Sequence, residues 1–152
     1  MHERDLKGAY NLLVNCGQAC EGERLLLCYE QKNLDFYDNA IVEDVWACAQ
    51  EIGLEVIPYE LDFDPVIDVV PKHLEAAIAA ADLTVFLARL ADQMRFGRFK
   101  SGQRTILSYA LNSASLASPF GTVHYKASLA LKQVIDAAVF GAGEVVVSCK
   151  AG

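Results

Sequence analysis

Apolar positions along this chain follow two rhythms that take turns, one with helical spacing and one of short unbroken runs. The first rhythm opens the sequence. Between Arg4 and Cys16, Leu6, Ala9, Tyr10, Leu13 and Val14 fall on one helical face, and Gly17 follows as a stop. The run from Arg24 to Glu30 is then almost wholly apolar and predicts a strand buried on both faces. Asp38 or Asn39 caps a second helix to Ile52, with Ile41, Val42, Val45, Trp46, Ala49 and Ile52 facing inward and Gly53 ending it. Leu54 to Glu60 predicts a second strand, and Pro58 moves it toward a sheet edge because proline cannot donate to a ladder.

The alternation continues to the end of the sequence. After the break at Asp62 to Pro65, Pro71 opens an alanine-rich helix to Ala81, and Leu83 to Ala88 is an apolar strand expected at the centre of a sheet. A loop from Arg89 to Gln103 leads into a strand from Arg104 to Ala110, and polar residues from Asn112 to Ser118 form another loop. Thr122 caps a long helix to Phe140, and Glu144 to Cys149 is the fifth expected strand. The pattern predicts one α/β domain over residues 1–152, with an open, mostly parallel five-stranded sheet and helices on both faces. Ligands of such sheets gather at the loops beyond the carboxyl ends of the strands, here 31–36, 61–65, 89–103 and 111–121. The β-β step from Ala88 to Arg104 leaves the strand order open.

Composition narrows the function classes. The 152 residues are 53% hydrophobic and carry a formal net charge of -7. Such a surface repels phosphate backbones, so nucleic acid is not an expected partner. No apolar run reaches the roughly 18 residues a membrane span needs, and the charged N-terminus lacks a signal-peptide core. Five cysteines in an odd, unframed set point to reduced thiols and a cytoplasmic location, with Cys28, Cys48 and Cys149 read as small core residues.

One segment departs from the acidic average. Residues 89–104 hold five of the 13 basic residues and one of the 20 acidic ones, so the segment carries +4 while the rest carries -11. Arg89, Arg95, Arg98, Lys100 and Arg104 alternate with Phe96 and Phe99. Arginine forks match carboxylates, and exposed aromatic rings supply apolar anchors, so this set is the candidate ligand-binding site. It suits an acidic peptide or a free chain-end carboxylate. A subunit contact and a solvated loop paired with acidic neighbours explain the same residues.

Other constellations carry less. Asp62 and Asp64 could share a hard cation, but a turn before Pro65 accounts for them as well. Cys16 and Cys20 lack the second ligand pair that zinc needs. His124 has no serine or cysteine in a recognised pattern and is read as a residue at a helix start. Gly141 and Gly143 precede a strand, the wrong context for a dinucleotide fingerprint. No catalytic residue, metal or cofactor is expected.

The opening helix to Cys16 and Gly17, the turn Cys20 to Leu27, the segment Ile52 to Ile57, the strand Ala81 to Phe86 and the tail Gly143 to Gly152 together resemble the N-terminal domain of the aminopeptidase T family, which 2,5-dihydroxypyridine dioxygenases also resemble. The resemblance implies an open α/β domain that takes part in subunit association. It also implies that the metal-binding glutamates, histidines and aspartate of the family belong to a later domain, so none maps to a position here. A stand-alone domain of this type resembles the accessory proteins of ribosomal peptide pathways of the crocagin kind. The expectation is a non-catalytic, homo-oligomeric protein that holds a peptide. The alternatives are an N-terminal fragment of a metal-dependent enzyme and a pure oligomerisation domain.

Overall fold

A computed structural model describes residues 6–66, 70–94, 103–146 and 148–149. The chain divides into two compact units, 1–122 and 123–152.

The first unit is built on four parallel strands, β1 (Arg24–Glu30), β2 (Glu55–Leu61), β3 (Leu83–Leu87) and β4 (Arg104–Leu107), in the order β2-β1-β3-β4. The apolar runs explain who sits where. Every residue of β3 is buried, as its central place demands, and β2, which contains Pro58, lies at an edge. The register Leu83↔Arg104 ends at Phe86↔Leu107, so β4 stops three residues earlier than the apolar pattern suggests.

Alternation along each strand sorts the core into two layers. Leu25, Leu27, Leu83, Val85 and Leu87 face one side. There they meet α1 (Lys7–Tyr10), which continues as a π-helical stretch (Asn11–Cys16), and the inner face of α2 (Asn39–Ile52) with Ile41, Val45, Cys48 and Ala49. Leu26, Cys28, Leu61 and Phe86 face the other side, against Leu74 and Ile78 of α3 (Lys72–Ala80) and Leu90 and Ala91 of α4 (Leu90–Met94). Helices thus cover both faces of a parallel sheet.

Local chemistry sets the boundaries. Asp38 Oδ1 accepts the Ala40 N–H at 3.0 Å and starts α2, and Gly53 ends it at φ +86, where a side chain would be strained. The first helix is not uniformly α-helical as its periodicity predicts. Buried Asn11 donates to the Gly121 carbonyl at 2.8 Å and accepts from Asn15 at 2.8 Å, and Gly17 N–H reaches back to Leu12 O, five residues away. The expected loop at 112–118 instead contains α5 (Ser113–Leu116), started by an Asn112–Ser115 capping box, and leads to α6 (Pro119–Thr122).

The second unit holds α7 (Tyr125–Val139). His124, not Thr122, caps it, with Nδ1 accepting the Lys126 N–H at 3.1 Å. The described residues between Glu144 and Cys149 form no strand, so the fifth strand expected there is not found among them. Apolar character alone does not make a strand without a neighbouring strand to supply its hydrogen bonds. Cys149 is exposed rather than a core residue, whereas Cys28 and Cys48 are buried as expected. Among the described residues no helix is long and apolar enough to cross a membrane.

Candidate functional site at the carboxyl ends of the strands

The strand order places a topological switch between β1 and β3, since the chain leaves β1 for one side and β3 for the other. In open α/β sheets the crevice beyond the carboxyl ends at this point is the usual ligand site. Here the chain fills it with its own residues. Glu30, the last residue of β1, has a side chain only 3% exposed. It accepts Arg89 Nε–H at 3.0 Å on each oxygen, Arg89 NH2 at 2.8 Å, and the Arg89 backbone N–H. The guanidinium carbon lies 3.7 Å from the ring centre of Phe63 and 4.5 Å from that of Phe36. Such contacts draw on the negative face of the ring. Phe36 in turn meets Tyr37 edge to face at 5.4 Å. The Tyr37 hydroxyl donates to Ser108 O at 3.2 Å, and burial, aided by the charge of Glu30, pushes its pKa up to about 12.

Arg104, grouped with Arg89 by the sequence pattern, lies at the opposite end of the sheet. It pairs with Leu83, the first residue of β3, whereas Arg89 follows the last. The four residue steps of β3 alone separate the two ends by about 13 Å. Arg104 donates to Gly17 O at 3.0 Å, Gln18 O at 2.6 Å and Glu23 Oε1 at 2.6 Å. The Arg104 hydrogen bond to Glu23 holds that carboxyl below its ordinary range. The two described arginines of the predicted set therefore do not converge, and each is engaged by a carboxylate of its own chain. Arg95, Phe96, Arg98, Phe99 and Lys100 lie outside the described residues.

Beside the filled crevice, on the β2 side, is a cavity of about 400 Å³. Its wall comes from the end of β2 and the turn after it (Pro58, Tyr59, Glu60, Leu61, Asp62, Asp64), the start of α3 (Pro71, His73) and one face of α4 (Leu90, Gln93). Tyr59 and His73 stack nearly parallel, 6.3 Å between centres and 13° apart in plane. Gln93 Nε2 donates to Asp64 O at 2.9 Å and ties α4 to the turn. Asp62 and Asp64 each turn one oxygen to the backbone, accepting Phe63 N–H at 2.8 Å and Val66 N–H at 3.0 Å. The turn reading of these two aspartates is thus what the geometry shows, and the described residues hold no group of three or more metal-ligating side chains.

Sequence reasoning singled out Asp62 and Asp64 but missed Glu60, Tyr59, His73 and Gln93. These residues come from three separate segments, and no local spacing groups them.

No protein-family profile and no curated protein sequence matches the chain. Solved structures similar to it include 2,5-dihydroxypyridine dioxygenase from Pseudomonas putida KT2440, with 17% identity, TM-score 0.48, and coverage of 71% of this chain and 35% of that one. VinN in complex with L-aspartate shows 18% identity and TM-score 0.45, covering 94% of this chain and 32% of VinN. A fatty acid ABC transporter substrate-binding protein from Thermomonospora curvata shows 22% identity and TM-score 0.43, covering 78% and 31%. The chain spans about a third of the length of each. At this distance none of them assigns a function.

Proposed function

We propose that this chain is a non-catalytic binding module that holds an extended peptide at the carboxyl end of its sheet. The observation that carries the reading is the cavity at the end of an edge strand. One side of β2 is paired with β1 and the other is a sheet edge among the described residues, and Tyr59, Glu60 and Leu61 of that same strand line the cavity. A peptide added as a further strand gains main-chain hydrogen bonds along the edge, while a pocket beside it selects a side chain. Pro58 removes one edge donor and limits unspecific strand addition. Holding a precursor peptide for other enzymes, the role implied by the resemblance to ribosomal-peptide accessory proteins, is one instance of this activity.

Hydrogen exchange on the bound protein tests it. A bound peptide slows exchange of amides in 55–61; a peptide that binds and leaves those amides unchanged refutes the edge-strand mode. The basic segment is tested separately: Arg95→Ala with Arg98→Ala weakens peptide binding if that segment contributes, and equal affinity removes it from the site.

A second reading, self-association, is favoured by α7. Leu131, Val134 and Ile135 lie at helical spacing on α7. Three large apolar side chains on one stripe of a helix call for a covering surface. Light scattering should give a mass above 16.6 kDa for the wild type, falling to 16.6 kDa with Val134→Asp. A monomer at every concentration sinks this reading.

A further inference from the structure

Main-chain bonding decides which residues of β2 face its open edge. Glu55 N–H donates to Glu23 O at 2.9 Å, and Gln31 N–H donates to Leu61 O at 3.1 Å. With the parallel register to β1, these bonds turn the main-chain groups of residues 55, 57, 59 and 61 inward. Val56, Pro58 and Glu60 turn theirs outward. A peptide strand laid on this edge bonds to those three, and the peptide residue level with Tyr59 makes no main-chain bond to it. In antiparallel addition this is the kind of pair whose side chains come closest.

Side-chain alternation completes the placement. Tyr59 and Leu61 pack with the core layer on the α3 side, so the peptide residue beside Tyr59 sends its side chain to that side too. The cavity of about 400 Å³ lies there, with Tyr59, Leu61, Pro71, His73 and Leu90 in its wall. Leu61 and Leu90 are buried and give it an apolar surface. The Tyr59 and His73 rings are 13° from parallel with centres 6.3 Å apart, which adds a flat aromatic one. An aromatic ring gains most from such a wall, because offset-stacked and edge-to-face contacts add to the burial of its area.

We propose that the cavity is the subsite for one side chain of the edge-bound peptide, the one level with Tyr59, and that it selects an aromatic ring. The inference rests on the peptide reading and adds to it a register and a selected side chain.

Retention of peptide pools on the immobilised intact chain, read by mass spectrometry, decides it. Three pools of blocked, strand-forming peptides have mixed flanking residues and one fixed central guest: phenylalanine, cyclohexylalanine or alanine. The phenylalanine pool should bind about tenfold more tightly than the alanine pool, and about threefold more tightly than the cyclohexylalanine pool, whose ring is of similar size without the π face. Tyr59→Leu and His73→Leu should each erase the margin over cyclohexylalanine. Circular dichroism confirms that the variants are folded; His73 is exposed, so its variant still decides the matter if Tyr59→Leu does not fold. Equal retention of the three pools, with amide exchange slowed in 55–61, overturns the subsite and leaves the peptide reading standing. Equal retention of the phenylalanine and cyclohexylalanine pools overturns the aromatic selection. A phenylalanine margin that survives both variants puts the ring elsewhere and overturns the assignment as well. Retention of none of the pools sinks the peptide reading together with the subsite.

Discussion

Removing the Arg89 side chain measures how firmly the switch crevice is sealed. Arg89→Ala deletes three side-chain hydrogen bonds to Glu30 and two ring contacts. It leaves a carboxylate 3% exposed with one backbone N–H as its remaining partner. Breaking a fully buried ion pair costs about 3–5 kcal/mol. Arg89 is 24% exposed, so water recovers part of the loss, while the ring contacts add about 0.5–1 kcal/mol. The expected destabilisation is about 3 kcal/mol, equivalent to a fall of roughly 6–12 °C in Tm for a domain of this size. Urea unfolding followed by circular dichroism gives the value, with an unchanged m-value showing that the unfolded state is the same. Replacing both partners by methionine should cost less than about 1 kcal/mol, because no uncompensated charge remains. A loss below about 1 kcal/mol for Arg89→Ala, or a double replacement as costly as the summed singles, would refute the account of a tight, coupled plug.

Three further outcomes follow from the geometry. A methyl group at Gly8 would lie 2.0 Å from the Leu116 carbonyl oxygen, so Gly8→Ala should cost about 2 kcal/mol or more, despite the better helix propensity of alanine, by the same urea assay. Alkylation of the native protein should modify Cys20 and Cys149, which are exposed, and spare Cys28 and Cys48 until denaturant is added; burial pushes the Cys28 thiol up and the Cys48 thiol to about 11, and mass spectrometry reads the order. Glu23, held low by Arg104, should stabilise the fold by up to about 1 kcal/mol while ionised. Its folded pKa lies below the unfolded one, so this contribution is present above the ordinary carboxyl range and lost as pH falls through the folded value. The stability gap between wild type and Glu23→Gln should therefore close toward pH 3 and stay constant from pH 6 to 8.

The sheet was legible because its strands are contiguous apolar runs, and β3 could be placed centrally because nothing polar but Thr84 interrupts it. Pro58 gave the edge position of β2 for a chemical reason that survives in three dimensions. The candidate site was not legible in the same way. Charge clustering along 89–104 treats neighbours in sequence as neighbours in space, but β3 and β4 run parallel, so the connection between them brings Arg104 back to the opposite end of the sheet from Arg89. Their partners, Glu30 and Glu23, are 59 and 81 residues away, and no local pattern announces such pairings. The cavity draws on three separate segments, of which only the aspartates at its rim stood out. The π-helical stretch escaped because Asn11 looks like any polar residue on a helix until Gly121, 110 residues later, supplies the acceptor.

The Glu30–Arg89 pair also bears on how such a domain could change its ligand. Reopening the space between β1 and β3 for a nucleotide or acid requires losing both side chains. Either loss alone strands a charge in a dry setting and is purged before it can be useful. A lineage carrying this pair has a mutational valley on each side of it. New specificities should then accumulate on the β2 flank, where substitutions are individually tolerable, and not at the crevice.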